Sequence, residues 1–332
     1  MPTHKSILQN TLAQISGKAV TVLCSLVVVK LITGIGQSFY GDYVTTYEFL
    51  AFFGIIADAG LFAIAVKEMS QNQKKSEFIL GNILSLRLLL IVLVCTLAII
   101  AAQFVPTYDI RIKQGIFITA LSMGLTIVAG TLSSVLQAKM KIQYFSASLA
   151  FGKIILVGSV FYLLGVREVV PAENELFMQL LYAGLFSNLF FVALVYYFVS
   201  RIIKIRLQCD WEYWKDTFKV SLPYGMALIL QTLYLRLDII LISILLTSQA
   251  TGIYGVCARI MESFLVLGVF FGQAILPKIS AETTMLKNGS FSDCPASQTL
   301  TWAIEKILLI ALPIVWGGYL FADQIVVILS NE

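Results

Sequence analysis

Hydrophobic residues run along this chain in nine long stretches separated by shorter polar segments. They cover 12–32, 43–66, 79–102, 115–136, 146–164, 176–197, 220–246, 254–276 and 303–328. Each reaches about 20 residues, the length a helix needs to cross a hydrocarbon core roughly 30 Å thick. The pattern predicts an all-α polytopic membrane protein with nine transmembrane helices. Most of the stretches also carry a charged residue well inside the apolar part.

Of the 332 residues, 58% are hydrophobic and only 13% charged, too few polar groups to cover a soluble domain of this size. The placement of the basic residues sets the orientation. With the N-terminus in the cytoplasm, the inner segments carry Lys5, Lys67, Lys74, Lys75, Lys139, Lys141, Arg201, Lys204, Arg206, Lys215, Lys219, Lys278, Lys287 and Lys306. The outer segments carry only Arg111, Lys113 and Arg167. Under the positive-inside rule this places the N-terminus in the cytoplasm and, after nine crossings, the C-terminus outside. No cleavable signal is expected, because the first stretch is too long for a signal core and Lys18 interrupts it.

Several function classes lose their chemistry here. Cys24, Cys95, Cys209, Cys257 and Cys294 show no paired spacing, so no disulfide framework or metal site is expected. His4 is the single histidine, which removes the usual zinc ligand and general base. The outer loops 33–42, 103–113, 165–175 and 247–253 are short for a membrane enzyme, whose catalytic residues sit mainly on loops. No glycine-rich phosphate loop ending in Lys-Ser/Thr is present, so any driving energy must come from ion or substrate gradients.

The charges inside the stretches are the candidate chemistry. Lys18, Lys30, Asp58, Arg87, Arg236, Asp238, Arg259 and Glu262 lie at membrane depth, where a charge costs about 3 kcal/mol and usually faces water or a partner. Together they predict a hydrated, mostly cationic interior suited to an anion. The expected order of substrate contact is Arg236, Arg87, Lys18, Arg259, Lys30. Arg offers bidentate donors to a phosphate and Lys a compact charge. Lys30 and Lys153 lie close enough to span ends to snorkel instead.

Helical spacing groups these residues. Tyr224, Gln231, Tyr234 and Asp238 share a narrow sector and form a polar stripe in the seventh stretch. Arg236 lies about 200° from Asp238 on the same wheel, so the two cannot pair on a regular helix. Pro223 is expected to bend that helix near its inner end. Arg259 and Glu262 share a face, as an internal ion pair or as substrate and coupling groups. Tyr47, Ala51, Gly54 and Asp58 make a stripe of small and polar groups that lets another helix or a substrate approach. Asp58 is either a structural acceptor or a titrating group.

Tyr40-Gly41-x6-Glu48 is echoed by Tyr254-Gly255-x6-Glu262 six spans later, in the same membrane direction. A parallel repeat of six-helix lobes fits this echo. It divides the chain into a first lobe over 1–199, a connector over 200–219 and three helices of a second lobe over 220–332. In the connector, Trp211, Tyr213, Trp214 and Phe218 alternate with charges, as in a helix lying among headgroups.

Several segments resemble the polysaccharide (O-antigen type) flippases of the multidrug/oligosaccharidyl-lipid/polysaccharide exporter superfamily. Asn10-Thr11 leads into the first span. Lys30-Leu31-Ile32-Thr33-Gly34 is followed by Phe39-Tyr40-Gly41-Asp42-Tyr43, and then Ala57-Asp58-Ala59-Gly60-Leu61 with Lys67-Glu68. Ser221-Leu222-Pro223-Tyr224-Gly225 and Tyr234-Leu235-Arg236-Leu237-Asp238 are similar to the family's seventh-helix pattern. Gly252-Ile253-Tyr254-Gly255 and Leu276-Pro277-Lys278-Ile279-Ser280 complete the likeness.

The resemblance implies two six-helix lobes around a cationic cavity, rocking between access states in the cytoplasmic membrane. It implies a lipid-linked oligosaccharide as substrate, carried on undecaprenyl diphosphate, with membrane lipid as surroundings and no nucleic-acid partner. No cofactor is implied, and Asp58, Asp238 or Glu262 would couple H+ or Na+ movement. The family has a dozen or more spans, so the remaining helices are expected from further C-terminal residues or from other polysaccharide-assembly proteins. The alternatives are a cation-coupled multidrug exporter of the same superfamily, which calls for an acidic, aromatic cavity, and an inactive or split half-transporter. The orientation is testable with single cysteines at Lys74→Cys and Lys113→Cys in a background without the native cysteines. A membrane-impermeant maleimide should label the second in intact cells and the first only after permeabilisation. The reverse pattern contradicts the assignment.

Overall fold

Ala59 and Gly60 interrupt the second apolar stretch with two consecutive left-handed residues, φ 43° and 76°. The structure, a computed structural model, describes residues 4–166, 172–283, 295–322 and 324. Its helices are α1 (His4–Thr33), α2 (Gln37–Asp58), α3 (Leu61–Gln71), α4 (Ser76–Gln103), α5 (Ile110–Ala138), α6 (Gln143–Phe161), α7 (Glu173–Ser200), α8 (Trp211–Leu245), α9 (Ser248–Thr283) and α10 (Pro295–Leu320). A 3-10 turn at Gln73–Lys75 precedes α4, and a π turn at Tyr162–Val166 extends α6.

The nine expected spans map onto these helices in order, α2 and α3 together forming the second. Among the described residues, eight segments are long and apolar enough to cross a membrane, and the stretch 254–276 is helical within α9. The fold is the expected all-α polytopic one.

The chain divides into two compact units, Met1–Tyr254 and Gly255–Glu332. In the first, α5 packs against α4, α7 and α2, α6 packs against α1 and α7, and α8 lies along α2 and α3. One core patch gathers Leu61, Leu80, Ile83, Leu132, Leu136, Phe191 and Val199. A second gathers Phe49, Leu50, Ala98, Tyr108, Ile112 and Ile116. The second unit contains the rest of α9 and α10. On α10, Val315, Trp316, Tyr319 and Leu320 are exposed.

The division at Tyr254 differs from the lobe boundary read from the repeat. The segment 201–210 is irregular, and Asp210 caps α8 by accepting from the backbone N–H of Glu212 and Tyr213 at 3.1 Å. Trp211–Leu245 is then one helix, so the aromatic residues from Trp211 to Phe218 form its first turns rather than a separate interfacial helix. Polar bonds tie this region to α4. Asn82 Oδ1 accepts from Asp210 N at 2.7 Å, and Trp214 Nε1 donates to the Asn82 carbonyl at 3.0 Å. The helix also runs through Pro223 without a break in helical assignment, although Pro leaves the carbonyl four residues back without its donor.

Small residues set how closely α8 and α9 approach α2. At the Ala59–Gly60 turn, a Cβ on Gly225 would stand 2.7 Å from the Ala59 carbonyl oxygen. At the other end, the heads of α2 and α9 cross backbone to backbone. There a Cβ on Gly252 would lie 2.1 Å from the Gln37 carbonyl oxygen, and one on Gly41 would lie 1.7 Å from that of Ser248. Neither neighbour is a side chain that can swing aside. Gly252→Ala is expected to lower stability by about 1–3 kcal/mol, the usual penalty of overpacking. Gly130→Ala, with nothing within 4 Å of its Cβ, should be neutral or gain about 0.5–1 kcal/mol from helix propensity. Thermal unfolding of both variants in detergent checks this, and equal behaviour contradicts the crossing.

Candidate functional site

Three of the membrane-depth arginines sit against carboxylates. On α8, Arg236 Nη1 donates to Glu48 Oε2 on α2. The Glu48 side chain is 5% exposed and that of Arg236 28%, so the acid is buried and the base reaches it from a more open position. On α4, Arg87 donates from Nη2 to Asp58 Oδ1 at the last residue of α2, and from Nη1 to Thr131 Oγ1 on α5 at 2.9 Å. Its side chain is 4% exposed, and its Nε is buried without a hydrogen bond. On α9, Arg259 Nη1 meets Glu262 Oε2 at 2.8 Å, the internal pair that three-residue spacing permits.

The local sequence explains the geometry. Asp58 ends α2 because the left-handed Ala59–Gly60 turn follows at once, which aims its carboxylate across to α4. Glu48 is the one acid within the run Val44–Ala57, nearly three turns before Asp58. Arg236 points to α2 because its side of α8 is the side opposite the Tyr224 stripe. On that stripe, Tyr234 is 85% exposed, and Tyr224 and Gln231 are also exposed. Asp238 accepts from the Tyr254 hydroxyl and from Ile239 N at 2.8 Å, and forms no ion pair with a basic side chain among the described residues.

The lysines stand apart from these pairs. Lys18 is half-buried on α1 and forms no ion pair among the described residues, while Lys30 is exposed in the last turn of the same helix. The structure therefore brings Arg236 together with α2, and Arg87 with Asp58.

A further cluster lies at the Gln37 end of α2. Arg111, at the start of α5, donates to Asp42 Oδ2 and at 2.7 Å to Glu173 Oε1 on α7. Its guanidinium stands 5.2 Å from the Phe177 ring centroid and 5.8 Å from that of Phe39. Nearby in the fold, the Tyr108 hydroxyl lies 2.8 Å from Ser243 Oγ on α8. Burial pushes the Tyr108 phenol above its ordinary range, against the opposing effect of the Ser243 hydrogen bond. Thus the head of α2 is tied to α5, and the α4–α5 loop to α8.

Sequence reasoning nominated neither Glu48 nor Asp42 nor Arg111. Glu48 was visible within the Tyr-Gly-x6-Glu echo, and a lone acid in an apolar run is the signal that identifies it. Arg111 was assigned to an outer loop, and only packing shows that its head lies over two phenylalanine rings. Among the described residues, no group of three or more His, Cys, Asp or Glu side chains is placed to hold a metal ion.

The fold is shared with solved transporters. The chain is similar to an inward-facing conformation of a multidrug resistance MATE family transporter of the MOP superfamily. The TM-score is 0.64 at 13% identity, over 97% of this chain and 76% of that one. An outward-facing structure of that description gives 0.63 at 14% identity, over 99% and 74%. A MOP superfamily transporter from Pyrococcus furiosus Vc1, titled for the reverse polarity of its binding pocket, gives 0.58 at 14% identity, over 99% and 74%. No curated protein matches the chain in sequence. The profile described as "Polysaccharide biosynthesis protein" matches residues 7–282, most of the chain, and the protein belongs to that family.

Proposed function

We propose that this protein is a flippase that moves undecaprenyl-diphosphate-linked oligosaccharides from the inner to the outer leaflet of the cytoplasmic membrane by alternating access, with its N-terminus in the cytoplasm. Membership of the polysaccharide biosynthesis family and a fold shared with transporters support it. The observation that carries it is the Arg236–Glu48 pair, a guanidinium at membrane depth that is only partly enclosed.

The pair supplies a physical route for an anion. Two oxygens of a diphosphate offer Arg236 the same bidentate acceptor geometry as a carboxylate, with more charge. As substrate enters, it takes over the donors that Glu48 holds, and Arg236 stays compensated throughout. In this reading an incoming H+ or Na+ would neutralise the displaced carboxylate, so that neither member of the pair is left as an isolated charge. Exchange of one partner for another avoids the cost of an isolated charge, about 3 kcal/mol on insertion scales. Asp238, which has no basic partner among the described residues, is the next coupling candidate. Asp58 and Glu262 are each held by an arginine and couple less readily.

In this reading Lys18 and Lys30 contribute weaker attraction to the headgroup, while Arg259 of the second unit is held by Glu262. Tyr224, Gln231 and Tyr234 offer an aromatic and amide stripe suited to sugar rings. Arg87 is reassigned to structure. It is enclosed and tied to both Asp58 and Thr131, so a substrate would have to dismantle three helices to reach it.

The two arginines therefore separate experimentally. In proteoliposomes with a labelled lipid-diphosphate sugar, Arg236→Ala should reduce flipping roughly 10- to 100-fold, as loss of a charge-assisted bond worth about 1.5–3 kcal/mol implies. It also strands the buried Glu48 carboxylate and so costs stability, but folded protein should remain. Arg87→Ala should instead lower thermal stability by about 3–5 kcal/mol, because it strands Asp58. Undiminished flipping by folded Arg236→Ala contradicts the proposal, and drug efflux without lipid flipping points to a multidrug exporter.

A further inference from the structure

The seam between α6 and α7 opens into a groove of about 590 Å³. It is lined by Ile155, Gly158, Ser159, Tyr162, Leu163, Gln179, Tyr182, Ala183 and Phe186. Both helices are long and apolar enough to span a membrane, so what lies against their outward faces at this depth is lipid. The volume falls within the range of about 300–1,000 Å³ typical of small-molecule sites.

Three features make it more than an irregular surface. Gly158 and Ala183 keep the facing walls small, and a Cβ on Gly158 would meet nothing within 4 Å. The helix at the rim widens from α to π at Tyr162–Val166, a local distortion that often accompanies a binding site. The mouth is polar and aromatic. Tyr162 and Tyr182 are exposed there, and Gln179 Nε2 donates to Glu175 Oε1 at 2.7 Å. Tyrosines of this kind sit at the headgroup level of a bilayer.

The charge at that mouth selects the occupant. The start of α7 carries Glu173 and Glu175. Arg111 already engages Glu173, leaving Glu175, held only by an amide, as the acceptor nearest the groove. An anionic headgroup is repelled by such a rim and an ammonium is attracted.

We propose that this groove binds one acyl chain of an outer-leaflet aminophospholipid, its ammonium facing Glu175 and its chain along Gly158 and Ala183. The site is separate from the Arg236–Glu48 pair, and its assignment to the outer leaflet rests on the orientation proposed above. It would hold a resident lipid rather than the diphosphate substrate.

Native mass spectrometry of the full chain in detergent, titrated with phosphatidylethanolamine or phosphatidylglycerol, tests this. Wild type should retain the ethanolamine lipid in preference to the glycerol lipid. Gly158→Leu, which fills the groove, should reduce retention about tenfold, equivalent to 1.4 kcal/mol. Glu175→Gln, a change at an exposed position, should narrow the preference about two- to fivefold, as expected for an exposed ion pair. It should leave retention of the glycerol lipid undiminished. Equal retention of both lipids by wild type, or unchanged retention by Gly158→Leu, overturns the proposal. So does preferential retention of an undecaprenyl diphosphate.

Discussion

A charge at membrane depth is tolerated only with compensation, and that constraint organises this protein. Each arginine described in the apolar spans is matched by an acid on a neighbouring helix or the next turn: Arg87 by Asp58, Arg236 by Glu48, Arg259 by Glu262. Breaking such a pair by removing one partner typically costs about 3–5 kcal/mol, far more than making the pair gains. The pairs therefore act as address labels for helix contacts. They fix which face of α4 and α8 meets α2.

The same compensation separates structural from functional arginines. Arg87 is enclosed, bonded to a second helix through Thr131 and placed at the end of a helix that terminates in a left-handed turn. Arg236 has one described partner acid and remains partly open. Only the second arrangement lets a diphosphate replace a carboxylate without passing through a bare charge. The dense backbone crossing of Gly41 and Gly252 and the Asp42–Arg111–Glu173 cluster hold the head of α2.

Much of the fold was legible in the sequence because bilayer thickness converts hydrophobic length directly into helices. The nine apolar stretches and the opposed placement of Arg236 and Asp238 on one helix followed from local rules. Of the ion pairs, Arg259–Glu262 was legible from its spacing, but the pairs between helices were not. Pairing between positions 48 and 236, or 58 and 87, depends on which helices are neighbours, and helical periodicity carries no such information. The expectation of water around the basic residues failed to anticipate their acids for that reason. In the connector, Trp211–Lys219 has interfacial composition, and the Asp210 cap starts there a helix that continues to Leu245.

The central claim is that Arg236 and Glu48 stand or fall together. The direct measurement is a double-mutant cycle on thermal or denaturant stability with Glu48→Gln and Arg236→Met. If the pair is real, each single change destabilises, the double change recovers part of the loss, and the coupling energy exceeds about 1 kcal/mol. Additive effects, with no recovery in the double variant, would contradict the account.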